Sequence, residues 1–308
     1  MARNLLKLGD FSGEEIAEIV DRAIELKKRY LKGDRPELLK NKTLVMLFQK
    51  TSTRTRVSFE TGITQLGGHA IFLNWSSTQF QMSDIQDETR CIDRYGDMVM
   101  ARLLKHADLI KMADVMEKPL INGLCEKYHP CQILADLQTM KEHLGELKGK
   151  KVVYLGIANN VSNSLTTGCT KMGIHFTLCA PERHPPSLDE ELLQKAKASG
   201  LYTEEKDPQK AIRDADVLYA DTWVDMELFM EPKFRDEKER RLKIFMPYQL
   251  NEQMLKINKK ALVMHDLPAH RGYEIDNYAI NCDRSVIFDQ AENRLHAQKA
   301  ILEKLIAV

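Results

Sequence analysis

From Phe48 to Arg56 the chain reads Phe-Gln-Lys-Thr-Ser-Thr-Arg-Thr-Arg, an apolar run that gives way to small hydroxyl residues and two arginines. If a helix begins there, its first turn offers unpaired N–H groups and a partial positive charge, which suits a phosphate dianion. Ser52, Thr53 and Thr55 add hydroxyl donors, and Arg54 and Arg56 add planar two-pronged ones. The plainer alternative is a capped helix with solvated arginines. A second helix start is Tyr128-His129-Pro130-Cys131-Gln132, with proline in the first turn, where its missing N–H costs nothing. His129 could donate to a developing oxyanion, and Gln132 could donate to a carbonyl oxygen or accept from an amide NH2. A histidine before a helix also fits a cap or a packed side chain.

Short apolar runs must carry these segments. Thr43–Phe48, Lys151–Leu155, Phe176–Cys179, Val217–Tyr219 and Leu262–Met264 read as buried strands. Helical spacing follows Ser52 (Val57, Phe59, Ile63, Leu66) until Gly67-Gly68 stops it. It recurs over Gln132–Leu144, Leu188–Ala198 and Ala291–Ile306. Strands alternating with helices predict an α/β architecture with parallel sheets. A polar, glycine-punctuated stretch from Gly145 to Lys151 marks a domain boundary, with a cleft expected between the halves. Ligands in such sheets sit beyond the carboxyl ends of the strands.

Lys plus Arg and Asp plus Glu both number 45, so the formal charge is zero and anion binding must come from a local site. Nothing global favours nucleic acid or an anionic membrane as partner. No run approaches the roughly 18 apolar residues of a membrane helix, and the first residues lack a signal-peptide pattern. The six cysteines show no paired metal spacing, which predicts reduced thiols in a cytoplasmic protein and no structural metal.

The motifs together resemble the ornithine carbamoyltransferases. Ser52-Thr53-Arg54-Thr55-Arg56 is similar to that family's carbamoyl-phosphate signature, and His129-Pro130-Cys131-Gln132 to its His-Pro-x-Gln. Met100-Ala101-Arg102, Asn159-Asn160, Asp221-Thr222-Trp223, His265-x-Leu267-Pro268 and Ala291-Glu292-Asn293-Arg294 follow in the family's order. The resemblance implies carbamoyl transfer from carbamoyl phosphate to an amine, with ornithine giving citrulline, in arginine synthesis or breakdown. It implies that Ser52, Thr53, Arg54 and Thr55 hold the phosphate, that Arg102, His129 and Gln132 polarise the carbamoyl group, and that Arg294 completes the anion site. Gln79 would serve the neighbouring subunit's site in a homotrimer. The implied fold is two doubly wound α/β domains, with residues 1–147 and the C-terminal helix 290–308 taking carbamoyl phosphate and 148–289 taking the acceptor. The C-terminal helix would pack back on the first domain. No cofactor is expected, because carbamoyl phosphate carries its own leaving group.

On the acceptor side Asn160 and Asp221 would contact the amino-acid end of ornithine, but neighbouring positions depart from the pattern. Asp225-Met226-Glu227 stands where the family has Ser-Met-Gly, the stretch after it is longer, and Asp266 replaces the cysteine before Leu267. An amine with a pKa near 10.4 is about one part in a thousand neutral at pH 7.4, a handicap of roughly 4 kcal/mol. A nearby carboxylate favours the ammonium unless it also accepts the proton. Asp266 is therefore a candidate base or a cation anchor, and Asp225, Met226, Asp266 and Leu267 are candidate acceptor contacts. The extra carboxylates raise the expectation of a carboxylate-free amine such as putrescine, or lysine, or of poor ornithine turnover. Aspartate as acceptor would need cations that this pocket lacks. A non-catalytic binder of carbamoyl phosphate remains open. A dinucleotide enzyme is disfavoured, since Gly156-Ile157-Ala158-Asn159-Asn160 lacks the Gly-x-Gly-x-x-Gly spacing.

Overall fold

The protein is described from a computed structural model over residues 3–224 and 234–306. The chain forms two compact units, Met1–Glu142 with Glu292–Val308, and His143–Ala291.

In the first unit, helix α1 (Gly13–Leu31) precedes strand β1 (Thr43–Phe48), whose five residues from Leu44 on are buried. Helix α2 (Thr53–Gln65) leads to β2 (His69–Asn74), α3 (Ile85–Tyr95) to β3 (Met98–Arg102), and α4 (His106–Ala113) to β4 (Leu120–Leu124). Helix α5 (Pro130–Leu144) follows. All pairings are parallel, in the order β2-β1-β3-β4. Such strands cannot be joined by tight hairpins, which is why helices separate them. Strand order reverses between β1 and β3, so their carboxyl ends leave a crevice. Arg102 pairs with Leu124 rather than Gly123, an irregularity that ends β3. A side chain at Gly123 would meet the Met100 sulfur at 2.5 Å, so it would have to displace that thioether.

The second unit repeats this logic with β5 (Lys151–Leu155), α6 (Asn160–Lys171), β6 (His175–Cys179), α7 (Glu190–Ala198), β7 (Tyr202–Glu204), the single-turn α8 (Pro208–Ala211) and β8 (Val217–Ala220). After these come α9 (Arg235–Phe245), α10 (Glu252–Ile257), β9 (Leu262–His265) and α11 (Asn277–Asn281). The sheet is again parallel, in the order β7-β6-β5-β8-β9, with its reversal between β5 and β8. Trp223, Phe245 and Ile275 fill its core.

The last helix, α12 (Ile287–Ile306), begins four residues before the expected start, and α7 two residues after, where Asp189 caps it. Residues 292–306 of α12 pack on the first unit through polar anchors. Buried Asn293 donates to Thr139 Oγ1 (2.9 Å) and Glu142 Oε2 (2.8 Å), and accepts from Gln138 Nε2 (3.0 Å) and Lys27 Nζ (2.8 Å). Its amide is fully used, so it fixes the rotation of the helix. Arg22 forms a two-pronged pair with Glu303 at 2.7 Å. Among the described residues no helix is long and apolar enough to cross a membrane, and no three metal-binding side chains cluster.

His296, on the same helix, packs against Tyr30 and has no solvent exposure. Burial first, then Lys299 and Lys27, hold its pKa down to about 3. At 3.8 Å from Glu292 it is thus a neutral ring and not an ion pair. The unfolded chain takes up this proton below about pH 6.5. Stability supported by the neutral ring is therefore lost as pH falls from about 6.5 toward about 3, by at most about 1.4 kcal/mol per unit. Urea unfolding of wild type and His296→Leu should show a shallower acid dependence for the variant; parallel curves would contradict this.

Candidate active site

Two loops after β1 and β3 build the first unit's cluster. Gln49 N donates to Arg102 O (2.9 Å) and Gln49 Oε1 accepts from Leu104 N (2.9 Å), tying the strand ends together. Ser52 is the N-cap of α2, its Oγ accepting from Thr55 N at 3.3 Å and donating to Thr55 Oγ1 at 3.1 Å. The cap fixes the start of α2 just after β1. Thr53 is exposed, Arg54 is half-buried and Thr55 is buried. Arg56 does not join them. It pairs with Glu60 and lies 3.6 Å over the Phe72 ring, beside a pocket of about 200 Å³ that Thr51, Ser52 and Thr53 also line.

The second contribution comes from the start of α5 and from α12. Buried Gln132 is fixed at both ends. Its Nε2 donates to Asp136 Oδ1 (2.8 Å), and its Oε1 accepts from Arg294 (2.5 Å). Arg294, 4% exposed, also donates to Thr55 Oγ1 at 3.3 Å. A continuous chain therefore runs Asp136–Gln132–Arg294–Thr55–Ser52, from α5 through α12 to the cap of α2. With Asp136 holding its nitrogen, Gln132 presents its oxygen, so an N–H donor is what it can receive. His129 is buried. Burial first, then Arg294, Arg102 and Arg54, holds its imidazole well below the ordinary value. Three guanidinium charges thus lie near enough to act on one ring. A neutral His129 can donate one N–H without adding charge. Two helix starts, three guanidiniums and a hydroxyl cap are together suited to a dianion bearing a polarisable carbonyl.

The other unit has a cluster of its own, after β5 and β8. Asn159 caps α6, its Oδ1 accepting from Val161 N (2.9 Å) and Ser162 N (3.1 Å), and its Nδ2 donates to Asp221 Oδ2 (2.8 Å). Asn160 is the first residue of α6. Buried Asp221 also accepts from Tyr154 Oη (2.7 Å) and Thr222 N (2.7 Å). After β9, half-buried Asp266 stands 3.5 Å from His265 Nδ1. That nitrogen accepts from Leu267 N at 2.8 Å, so the ring proton sits on Nε2, 3.2 Å from the buried Glu274. Glu274 is held at a pKa of about 2 because hydrogen bonds from His265 and His270 overcome the opposing effect of burial.

Comparison with known proteins decides what these two clusters belong to. Residues 3–142 match the family model for the aspartate/ornithine carbamoyltransferase carbamoyl-P binding domain, and residues 148–305 match that for the Asp/Orn binding domain. The chain belongs to the aspartate/ornithine carbamoyltransferase family. Within it, the chain is 42% identical over 307 residues to ornithine carbamoyltransferase of Archaeoglobus fulgidus, covering 99% of this chain and 97% of the relative. It is 44% identical over 311 residues to that of Pyrococcus abyssi, covering 99% and 96%. The solved structure of the Pyrococcus furiosus ornithine carbamoyltransferase superposes with a TM-score of 0.92 at 43% identity, covering 99% of this chain and 97% of that one. The resemblance to the ornithine branch that the motifs carried is thus borne out, as are the two parallel-sheet domains and the returning C-terminal helix.

Arg294 bonds to both Thr55 and Gln132, and the charges of Arg294, Arg102 and Arg54 act on His129. Gln79 is exposed in a short 3-10 turn (Gln79–Gln81). Asp225, Met226 and Glu227, on which the expected acceptor departure partly rested, lie outside the described residues. Motif reading missed Asp136, four residues after Gln132 and so on the same helix face, and Tyr154, hidden in an ordinary strand pattern. Asn159 carried a readable signal, the Asn-x-x-Ser spacing of a cap.

Replacing Asp136 by leucine leaves the buried Gln132 nitrogen without its acceptor. The expected cost is about 1–3 kcal/mol in urea unfolding, with weaker inorganic phosphate binding by calorimetry. Unchanged stability and affinity would show that Gln132 is oriented by other means.

Proposed function

We propose that this chain transfers the carbamoyl group of carbamoyl phosphate to the side-chain amine of L-ornithine, giving L-citrulline and phosphate. The amine nitrogen forms a bond to the carbamoyl carbon. The carbon–oxygen bond to phosphate breaks, phosphate leaves with the electron pair, and the nitrogen gives up a proton. The observation that carries the reading is full-length similarity, at more than 40% identity, to proteins named ornithine carbamoyltransferase. The convergent guanidiniums of the first unit support it chemically.

In this reading residues 1–147 with 290–308 take carbamoyl phosphate, and 148–289 take the acceptor. Ser52, Thr53, Arg54 and Thr55 hold the phosphate and Arg294 completes that site. Arg102 and His129 donate to the carbamoyl oxygen as negative charge develops on it, and Gln132 accepts from the carbamoyl NH2. Asn160 and Asp221 contact the amino-acid end of ornithine, with Leu267 lining the site. Asp266, where the motif has cysteine, takes up the amine proton. The family resemblance supports a homotrimer in which Gln79 completes a neighbouring subunit's site.

Purified protein with carbamoyl phosphate should form a ureido product with ornithine faster than with putrescine, lysine or aspartate. No product with any of them, or a clear preference for putrescine, would overturn the reading. Arg102→Ala should lower kcat by about 10²–10³-fold, the usual cost of one oxyanion donor; a change below tenfold would remove Arg102 from that role.

A further inference from the structure

Tyr154 is fully buried in β5, and its phenolic oxygen has three acceptors around it: Asp221 Oδ2 at 2.7 Å, Ile157 O at 2.9 Å and Asn159 Oδ1 at 3.2 Å. A hydroxyl has one proton to give. The nearest of these acceptors is also the only charged one, and charge-assisted bonds are the stronger kind, so the proton goes to Asp221.

Lone pairs then decide what Asp221 can still do. Its Oδ2 accepts from Tyr154 Oη and Asn159 Nδ2, and its Oδ1 accepts from Thr222 N. Four in-plane lone-pair positions minus three donors leave one, and it is on Oδ1. We propose that Tyr154 is a positioning residue for the acceptor: it fixes the rotation of the Asp221 carboxylate so that the remaining lone pair of Oδ1 is reserved for the ammonium of the amino-acid end. Gly156 permits the arrangement, because a side chain there would meet Asp221 O at 3.0 Å and the Tyr154 ring at 3.4 Å. Below the hydroxyl, the ring stacks on Tyr219 at 5.9 Å, and Tyr219 Oη accepts from Gln290, which itself accepts from His265 N. One polar and aromatic series thus connects β5, β8 and β9. Burial, reinforced by Asp221 and then Asp266, pushes the Tyr154 phenol well above its ordinary pKa, so it keeps the proton it donates.

The inference rests on the assignment of Asp221 to ornithine, and the test separates the two. Tyr154→Phe keeps the ring and its stacking and deletes only the hydroxyl. Hydrogen bonds to charged groups are worth about 1.5–3 kcal/mol, so KM for ornithine should rise about 10- to 100-fold, while kcat and KM for carbamoyl phosphate stay within about threefold. In an Asp221→Asn background the same substitution should change KM for ornithine less than twofold. A Tyr154→Phe protein with a lowered Tm but an unaltered KM for ornithine would overturn the positioning role, as would an effect that persists undiminished beside Asp221→Asn. If Asp221→Asn alone leaves KM for ornithine unchanged, it is the assignment of Asp221 that fails. The unaltered carbamoyl phosphate KM establishes that each variant is folded.

Discussion

The first unit's cluster is governed by one electrostatic constraint: positive charge is concentrated around a buried histidine. Arg294 is buried, and burial, reinforced by Arg294, Arg102 and Arg54, holds the His129 imidazole well below its ordinary pKa. Two helix starts add their own partial charge. Gathering like charges in this way costs free energy that a bound dianion returns. The supporting shell prevents the arginines from swinging apart to relieve it. Asn293 locks the rotation of α12, α12 aims Arg294, and Asp136 turns Gln132 so that its oxygen meets that guanidinium.

The second unit solves the opposite problem. Its central charge is the Asp221 carboxylate, surrounded by three donors from β5, the cap of α6 and the chain after β8. Both clusters fall at the point where strand order reverses, between β1 and β3 and between β5 and β8. The same topology therefore presents cations in one unit and an anion in the other. That division suits a phosphate donor and an ammonium-bearing acceptor, and it places chemical selectivity in the loops while the sheets supply rigidity.

Much of this was legible in the sequence because the signals are local. Ser52 and the arginines after it announce a helix start, and five consecutive buried residues announce β1. What stayed hidden depends on distant partners. Strand β2 lies at a sheet edge with Ile71 exposed, and β4 carries buried Asn122, whose Nδ2 donates to Leu6 O and to Cys125 Sγ. Tyr154 reads as one more strand residue until Asp221, 67 positions later, is seen beside its hydroxyl. Asp136 reads as a misplaced charge until Gln132 is seen to need it. Asp266 was visible as a departure from the motif, but its relation to His265 and Glu274 required the fold.

The most direct measurement of the central claim is calorimetric titration of carbamoyl phosphate into wild-type protein and Arg54→Ala at matched ionic strength. Saturable binding to wild type, weakened about 10- to 100-fold by loss of one guanidinium, is the predicted result. Equal affinity in both proteins, or no binding to either, would contradict the claim that converging guanidiniums form the donor site.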